Sequence, residues 1–260
     1  MAIAIPEAVL HQFEDGPPYS QPFGPGEQVH ISFRLAGYKR TDEDIPRVKM
    51  TWAVEVRDPK GVLLVEPKSE VIDAPLGSQD KDWMPKKRHD FHMPPLAESG
   101  EYKVTITARD QLAGTSVTRD VKLVVRNPLP TVEPSATLLA RNFRFLRSED
   151  EGPPLSPAAY RQGDALWARF EITGFKYAER NRLDVSYGLE VLKADGSRLY
   201  AEPNAAADKD STYYPKRFVQ GVLSLSLQKD IPVGEYTIVL RLRDAVGNQT
   251  DESRHVFQVR

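Results

Sequence analysis

The stretch GEYKVTITARDQLAG at 100–114 returns as GEYTIVLRLRDAVGN at 234–248. The echo is not isolated. EDGPPYS (14–20) is matched by DEGPPLS (150–156), and GEQVHISFRLAGYK (26–39) by GDALWARFEITGFK (163–176). WAVEVRDPKG (52–61) is matched by YGLEVLKADG (187–196), VEP (65–67) by AEP (201–203), and DKDWMPKK (80–87) by DKDSTYYPKR (208–217). Self-similarity that keeps its order over so long a period marks a tandem duplication. The copies run over roughly 8–127 and roughly 136–260, which predicts domains at 1–127 and 128–260. Between them lies NPLPTVEP (127–134), whose three prolines make a semi-rigid, extended spacer.

Each matched segment alternates with a period of two. Tyr102, Val104, Ile106 and Ala108 oppose Lys103, Thr105, Thr107 and Arg109; Tyr236, Ile238, Leu240 and Leu242 oppose Thr237, Val239, Arg241 and Arg243. The same pattern runs through Val29–Leu35 with Leu166–Ile172, and through Met50–Val56 with Val185–Val191. Such alternation describes strands with one face on a core. DPKG (58–61) and ADGS (194–197) are turn sequences. No helical stripe is sustained; a single helical turn near Asn204–Asp208 is the most the pattern allows. About seven short strands in roughly 120 residues predict an antiparallel β-sandwich in each copy.

The phrases GEYKVTITARDQLAG and GEYTIVLRLRDAVGN resemble the late strand and turn of bacterial immunoglobulin-like and PKD-like domains, which read G-x-Y-x-v-x-v-x-x-x-D-x-x-G-N. VEVRDPKGVLLVE (54–66) is similar to macroglobulin-type sandwich domains. The resemblance implies an all-β chain of two tandem immunoglobulin-like sandwiches. It makes Tyr102 and Tyr236 tyrosine-corner residues, with hydroxyls tied to nearby backbone. It places Trp52 and Tyr187 as core aromatics on the third strand. The paired cysteines of antibody domains are missing, since the chain has none. These motifs are shared by many functions and speak for fold rather than activity.

Composition narrows the classes further. With 28% charged and 40% apolar residues the chain is globular, not disordered. Lys/Arg against Asp/Glu is 17 to 19 over 1–127 and 18 to 18 over 128–260, so neither half has the basic excess of a nucleic-acid or anionic-membrane binder. Without cysteine there is no disulfide, thiolate nucleophile or thiolate zinc site. No apolar run approaches the ~20 residues of a membrane span. MAIAIPEAV has neither the basic start nor the apolar length of a signal peptide.

Few residues propose chemistry. Asp110 and Asp244 end the late strand, where a carboxylate fixes the turn by accepting backbone N–H groups; calcium ligation is the competing role. Asp80 with Asp82, and Asp208 with Asp210, set two carboxylates two residues apart in loop-like stretches, a spacing able to offer calcium two oxygens on one side. A lysine sits inside each pair and basic residues follow, so a self-neutralised loop is the alternative. His89 and His92, three apart on a strand, face opposite sides and do not converge on a metal. Trp83, Trp167, Tyr213 and Tyr214 are the candidate ligand-binding aromatics, with Trp167 expected on the outer sheet face. No P-loop, G-x-S-x-G, H-E-x-x-H or dinucleotide motif is present.

These readings favour a non-catalytic pair of modules working outside the cytoplasm, extracellular or periplasmic. It binds a protein or glycan partner through the sandwich ends at 75–90 and 204–217 or through an exposed sheet edge. No cofactor is expected, calcium being the open option. Two alternatives stay on the table: a carbohydrate-binding pair using the four aromatics, and a hydrolase with an interdomain site.

Overall fold

The computed structural model describes residues 2–80, 82–128, 132–149 and 152–260. Residues 129–131 of the proline-rich spacer, Lys81 of the first DKD, and Asp150 and Glu151 of the DEGPPLS echo lie outside the described residues. The chain divides into two compact units, Met1–Thr131 and Val132–Arg260.

The first unit is built from β1 (Ala4–His11), β2 (Gln28–Ala36), β3 (Arg47–Arg57), β4 (Lys68–Pro75), β5 (Lys86–His92), β6 (Gly100–Asp110) and β7 (Ser116–Val125). Its sheets have the orders β1-β2-β5 and β4-β3-β6-β7, and every strand pair within them is antiparallel. The second unit holds β8 (Leu139–Leu146), β9 (Ala159–Tyr160), β10 (Ala165–Thr173), β11 (Arg182–Lys193), β12 (Arg198–Ser211), β13 (Val219–Ser226), β14 (Gly234–Asp244) and β15 (Gln249–Val259). Its sheets are β13-β10-β8 and β12-β11-β14-β15-β9. The two orders coincide once the two-residue β9 is set aside, and β9 has a counterpart in the isolated parallel bridge Phe23↔Val125. Each unit is thus a β-sandwich whose fourth strand joins the sheet of the third, where an antibody constant domain pairs it with the other sheet.

The alternation read from the sequence is the packing. Val29, Ile31, Phe33 and Leu35 are all at most 1% exposed, as are Leu166, Ala168, Phe170 and Ile172. Phe33 meets Trp52 edge-on with ring centroids 5.2 Å apart, and Phe170 meets Tyr187 in the same way at 5.1 Å. Aromatic pairs in this geometry add about 0.5–1.5 kcal/mol to the burial itself. The tyrosine corners form in both copies: Tyr102 donates its hydroxyl to Glu98 O (3.1 Å) and Tyr236 to Pro232 O (2.7 Å). The expected helical turn at Asn204–Asp208 is not there. Those residues belong to β12, and the one helical turn among the described residues is a 3-10 turn at Glu179–Asn181. Pairing to β11 decides the outcome, since a whole ladder of hydrogen bonds outweighs the helix preference of a short alanine run.

Asp110 and Asp244 do what a turn-fixing carboxylate does, and both are fully buried. Asp110 Oδ1 accepts from the N–H groups of Leu112 (2.9 Å) and Ala113 (3.1 Å), while Oδ2 accepts from Lys39 N–H at 2.6 Å. Asp244 repeats this with Val246 and Gly247 (both 3.0 Å), Lys176 N–H (2.9 Å) and Gln249 Nε2 (3.2 Å). One side chain therefore closes its own hairpin and ties it to the loop between the second and third strands. Removing it strands several buried donors at once. Asp110→Ala and Asp244→Ala should each lower unfolding stability in urea by about 3 kcal/mol or more; losses below about 1 kcal/mol would remove this role.

Candidate functional site

A sandwich leaves edge strands whose outward N–H and C=O groups are unpaired, and native proteins blunt them with charge, proline, bulges or cover. Most edges here are treated in one of these ways. In the first unit Arg119 reaches from β7 to Ile5 O on β1 (2.7 Å), and the Phe23 segment pairs with Val124 and Arg126 (both 2.9 Å). In the second unit, Gln258 and Arg260 on the β15 side donate to Ala158 O and Tyr160 O (both 2.9 Å), and the Tyr160 hydroxyl donates to Leu146 O at 2.9 Å. β12 carries Pro203, a bulge opposite Gly188 and the charged DKD run. β4 carries Lys68, Glu70 and Asp73.

β5 and β13 occupy equivalent edges and are treated in opposite ways. Their alignment is fixed by Met93, which donates to Glu27 O, and Leu227, which donates to Asp164 O (both 2.9 Å). β5 reads KKRHDFH, with four charged residues in seven, whereas β13 reads VQGVLSLS and carries no charge. On the inward side, Lys87, His89 and Phe91 correspond to Gly221, Leu223 and Leu225. Lys87 reaches Glu70 on β4 at 3.7 Å and so straps the two sheets of the first unit across their open side. Neither partner exists in the second unit: Gly221 replaces Lys87, and Ala206 stands across from Tyr187 where Glu70 stands across from Trp52. A Cβ at Gly221 would run into the Phe170 ring.

A phenol replaces the strap. The Tyr187 hydroxyl donates to Val222 O (2.9 Å) and accepts from Val222 N–H (3.0 Å), acting like one residue of a pairing strand. Burial pushes the Tyr187 hydroxyl above its usual pKa, with the Val222 hydrogen bond opposing, so it stays a neutral donor. Since Val222 turns its backbone groups outward and Leu227 turns its own toward β10, ladder parity turns those of Ser224 and Ser226 outward too.

Beside Ser224 and Ser226 opens a cleft of about 560 Å³ between the edges of β12 and β13. Buried Val191, Leu227, Ile231 and Phe257 form its floor, and half-exposed Leu199 and Tyr200 stand on the β12 side. The first copy fills this place. Its VEP/AEP correspondence sets Leu64 against Tyr200; Leu64 is 2% exposed and donates its N–H to Val56 O (2.8 Å), whereas Tyr200 is 44% exposed and bonds Glu202 (3.1 Å). Among the described residues, Asp230 and the Tyr200 phenol are the only ionisable groups lining the cleft.

The residues expected from sequence lie elsewhere. Asp208 and Asp210 stand on strand β12, not in a loop, because β12 pairs with β11 as far as Ser211. Lys216 Nζ lies 2.9 Å from Asp208 and 2.8 Å from Asp210, where a shared cation would sit. Asp80 accepts from Gly77 N–H (2.7 Å) and Asp82 is exposed. No group of three or more His, Asp or Glu is placed to hold a metal among the described residues. Trp83 is half-buried edge-on to Tyr38, whose hydroxyl donates to its carbonyl. Trp167 is half-buried beside Ser224, Tyr214 takes hydrogen bonds from Arg217 (3.2 Å), and Tyr213 is 46% exposed. Trp167 pairs five residues beyond the start of β13, roughly 17 Å from the loop that carries the tyrosines. Within the second unit, Trp167 and the two tyrosines form no common platform. His11 Nε2 lies 2.8 Å from Ser32 Oγ, yet these residues are 7% and 5% exposed, and the contact pins β1 to β2 without opening to substrate. The missed residues are Tyr187 as a strap, Tyr200, Ser224, Ser226 and Asp230. Their signal was the contrast of KKRHDFH with VQGVLSLS at one place in two copies.

No family model matches the chain, and no curated protein matches its sequence. Two solved structures align with nearly all of it. The C-terminal domain of the antigen I/II-family protein AspA of Streptococcus pyogenes is 9% identical, with 97% of this chain and 98% of that one covered and a TM-score of 0.33. The C-terminal domain of the AgI/II polypeptide BspA of Streptococcus agalactiae is also 9% identical, covering 97% and 100%, with a TM-score of 0.30. Likeness at that level carries no argument about role, which rests on the site itself.

The Lys216 cluster has a pH signature. Hydrogen bonds from Lys216 and from Ser211 N–H hold the Asp210 carboxyl below its usual pKa. A depressed folded pKa gives stability that is present above the ordinary Asp value near 4 and is lost as pH falls through the lowered one. The stability gap between the native protein and Lys216→Met should therefore be constant at neutral pH and close below about pH 4. A gap that widens on acidification contradicts the pairing.

Proposed function

We propose that this protein is a non-catalytic pair of interaction modules working outside the cytoplasm, and that its second sandwich carries the binding surface. The observation behind this reading is the difference between the copies. One closes the open side of its sandwich with Leu64 and a Lys87–Glu70 strap, and the other leaves an apolar cleft under an uncharged edge. Concave apolar ground with a few oriented polar groups is the ordinary form of a recognition site. Catalysis needs converging acid, base or nucleophile within hydrogen-bond reach of a substrate, and the cleft offers one exposed carboxylate and one phenol. The extracellular or periplasmic setting is supported by the immunoglobulin-like phrasing of both copies.

Two measurements test this. A panel of p-nitrophenyl esters, glycosides and phosphates should be turned over no faster than in buffer. Saturable hydrolysis abolished by Asp230→Asn or Ser32→Ala would replace the reading with an enzyme. Fractionation of the native cells should find the protein in the envelope or the medium; confinement to the cytosol contradicts the location.

A further inference from the structure

We propose that the outer edge of β13 at Ser224 and Ser226 receives an extended peptide segment of a partner protein by strand addition, with an aliphatic side chain in the cleft and a basic residue at Asp230. The proposal rests on the interaction-module reading and deepens it.

Four observations choose this occupant. Backbone groups of Ser224 and Ser226 face outward in the same parity as Val222, whose pair is already taken by the Tyr187 hydroxyl. What the phenol does at Val222, a peptide strand does two and four residues further on, where the protein supplies no phenol. Main-chain bonds at an edge supply affinity and pockets for alternate side chains supply specificity. The chemistry of the pocket side chain is written in the first copy, where an extended segment places Leu64 in the equivalent position. Charge complementarity supplies the last element: the cleft is lined by the exposed carboxylate of Asp230 and by no lysine or arginine, and Asp230 forms no ion pair among the described residues. The first copy's edge is closed to the same partner, because Lys87 and His89 point inward where a docking strand would need apolar ground.

The test uses the full chain. A phage-displayed library of random linear heptapeptides is panned on it, and enriched peptides are titrated by fluorescence anisotropy. Enriched sequences should alternate polar with aliphatic residues and carry Lys or Arg. Ser224→Pro removes an outward N–H that the β10 ladder does not use, and it should weaken these peptides at least tenfold. Should that variant fail to fold, Asp230→Asn is the second arm, expected to weaken Lys-bearing peptides at least threefold while sparing versions with the Lys replaced by Gln. In the native chain, NMR amide signals of Ser224 and Ser226 should shift on peptide addition. No enrichment overturns the proposal. Enriched peptides that leave both amides unshifted and bind Asp230→Asn equally well also overturn it, while the broader interaction reading would stand. Hydrolytic turnover would instead remove that broader reading.

Discussion

An open sheet must do something with its edges. Every sandwich buries one face of each layer and leaves strands whose outward N–H and C=O groups have no partner, and an unpaired edge invites any passing strand. Here that constraint is met by several devices: the Arg119 guanidinium on Ile5 O, the Phe23 segment along β7, β9 along β15, proline and charge on β12, and charge on β4 and β5. The sandwich, the buried Asp nodes and the tyrosine corners supply a stable frame. The disposition of the edges decides what that frame can meet.

Duplication makes the comparison internally controlled. Both copies keep the same strand order, the same carboxylate holding the same hairpin, and the same aromatic contact between second and third strands. They differ most along one edge. Replacing Trp52 by Tyr187 brings a hydroxyl within reach of β13, and replacing Lys87 by Gly221 leaves room for Phe170 and removes the strap. Replacing the buried Leu64 by the half-exposed Tyr200 leaves a cleft between the edges of the sheets. With Ala206 in place of Glu70 as well, these substitutions at corresponding positions distinguish a closed edge from an open one.

The frame was legible in the sequence because burial follows parity. A strand with one wet face must alternate, so Val29–Leu35 and Leu166–Ile172 announced their faces, and a carboxylate before a tight turn announced its hydrogen bonds. The candidate site was legible only as a general possibility, an exposed sheet edge. Which edge is open depends on pairing across strands distant in sequence: Lys87 with Glu70, Tyr187 with Val222. The DKD pairs are legible in part: the basic residues that follow them point to self-neutralisation, and Lys216 does supply the positive charge between Asp208 and Asp210. That the second pair lies on a strand rather than in a loop depends on partners on β11, which the local sequence does not show.

The openness of β13 is best tested by amide hydrogen exchange in the free protein, because protection reports whether each N–H has a partner. Val222, held by the Tyr187 hydroxyl, and Leu223 and Leu225, turned toward β10, should exchange slowly. Ser224 and Ser226 should exchange roughly a hundredfold faster or more. Equal protection along all five residues would mean that something in the folded chain already covers this edge, and the account of the second copy as the open one would be wrong.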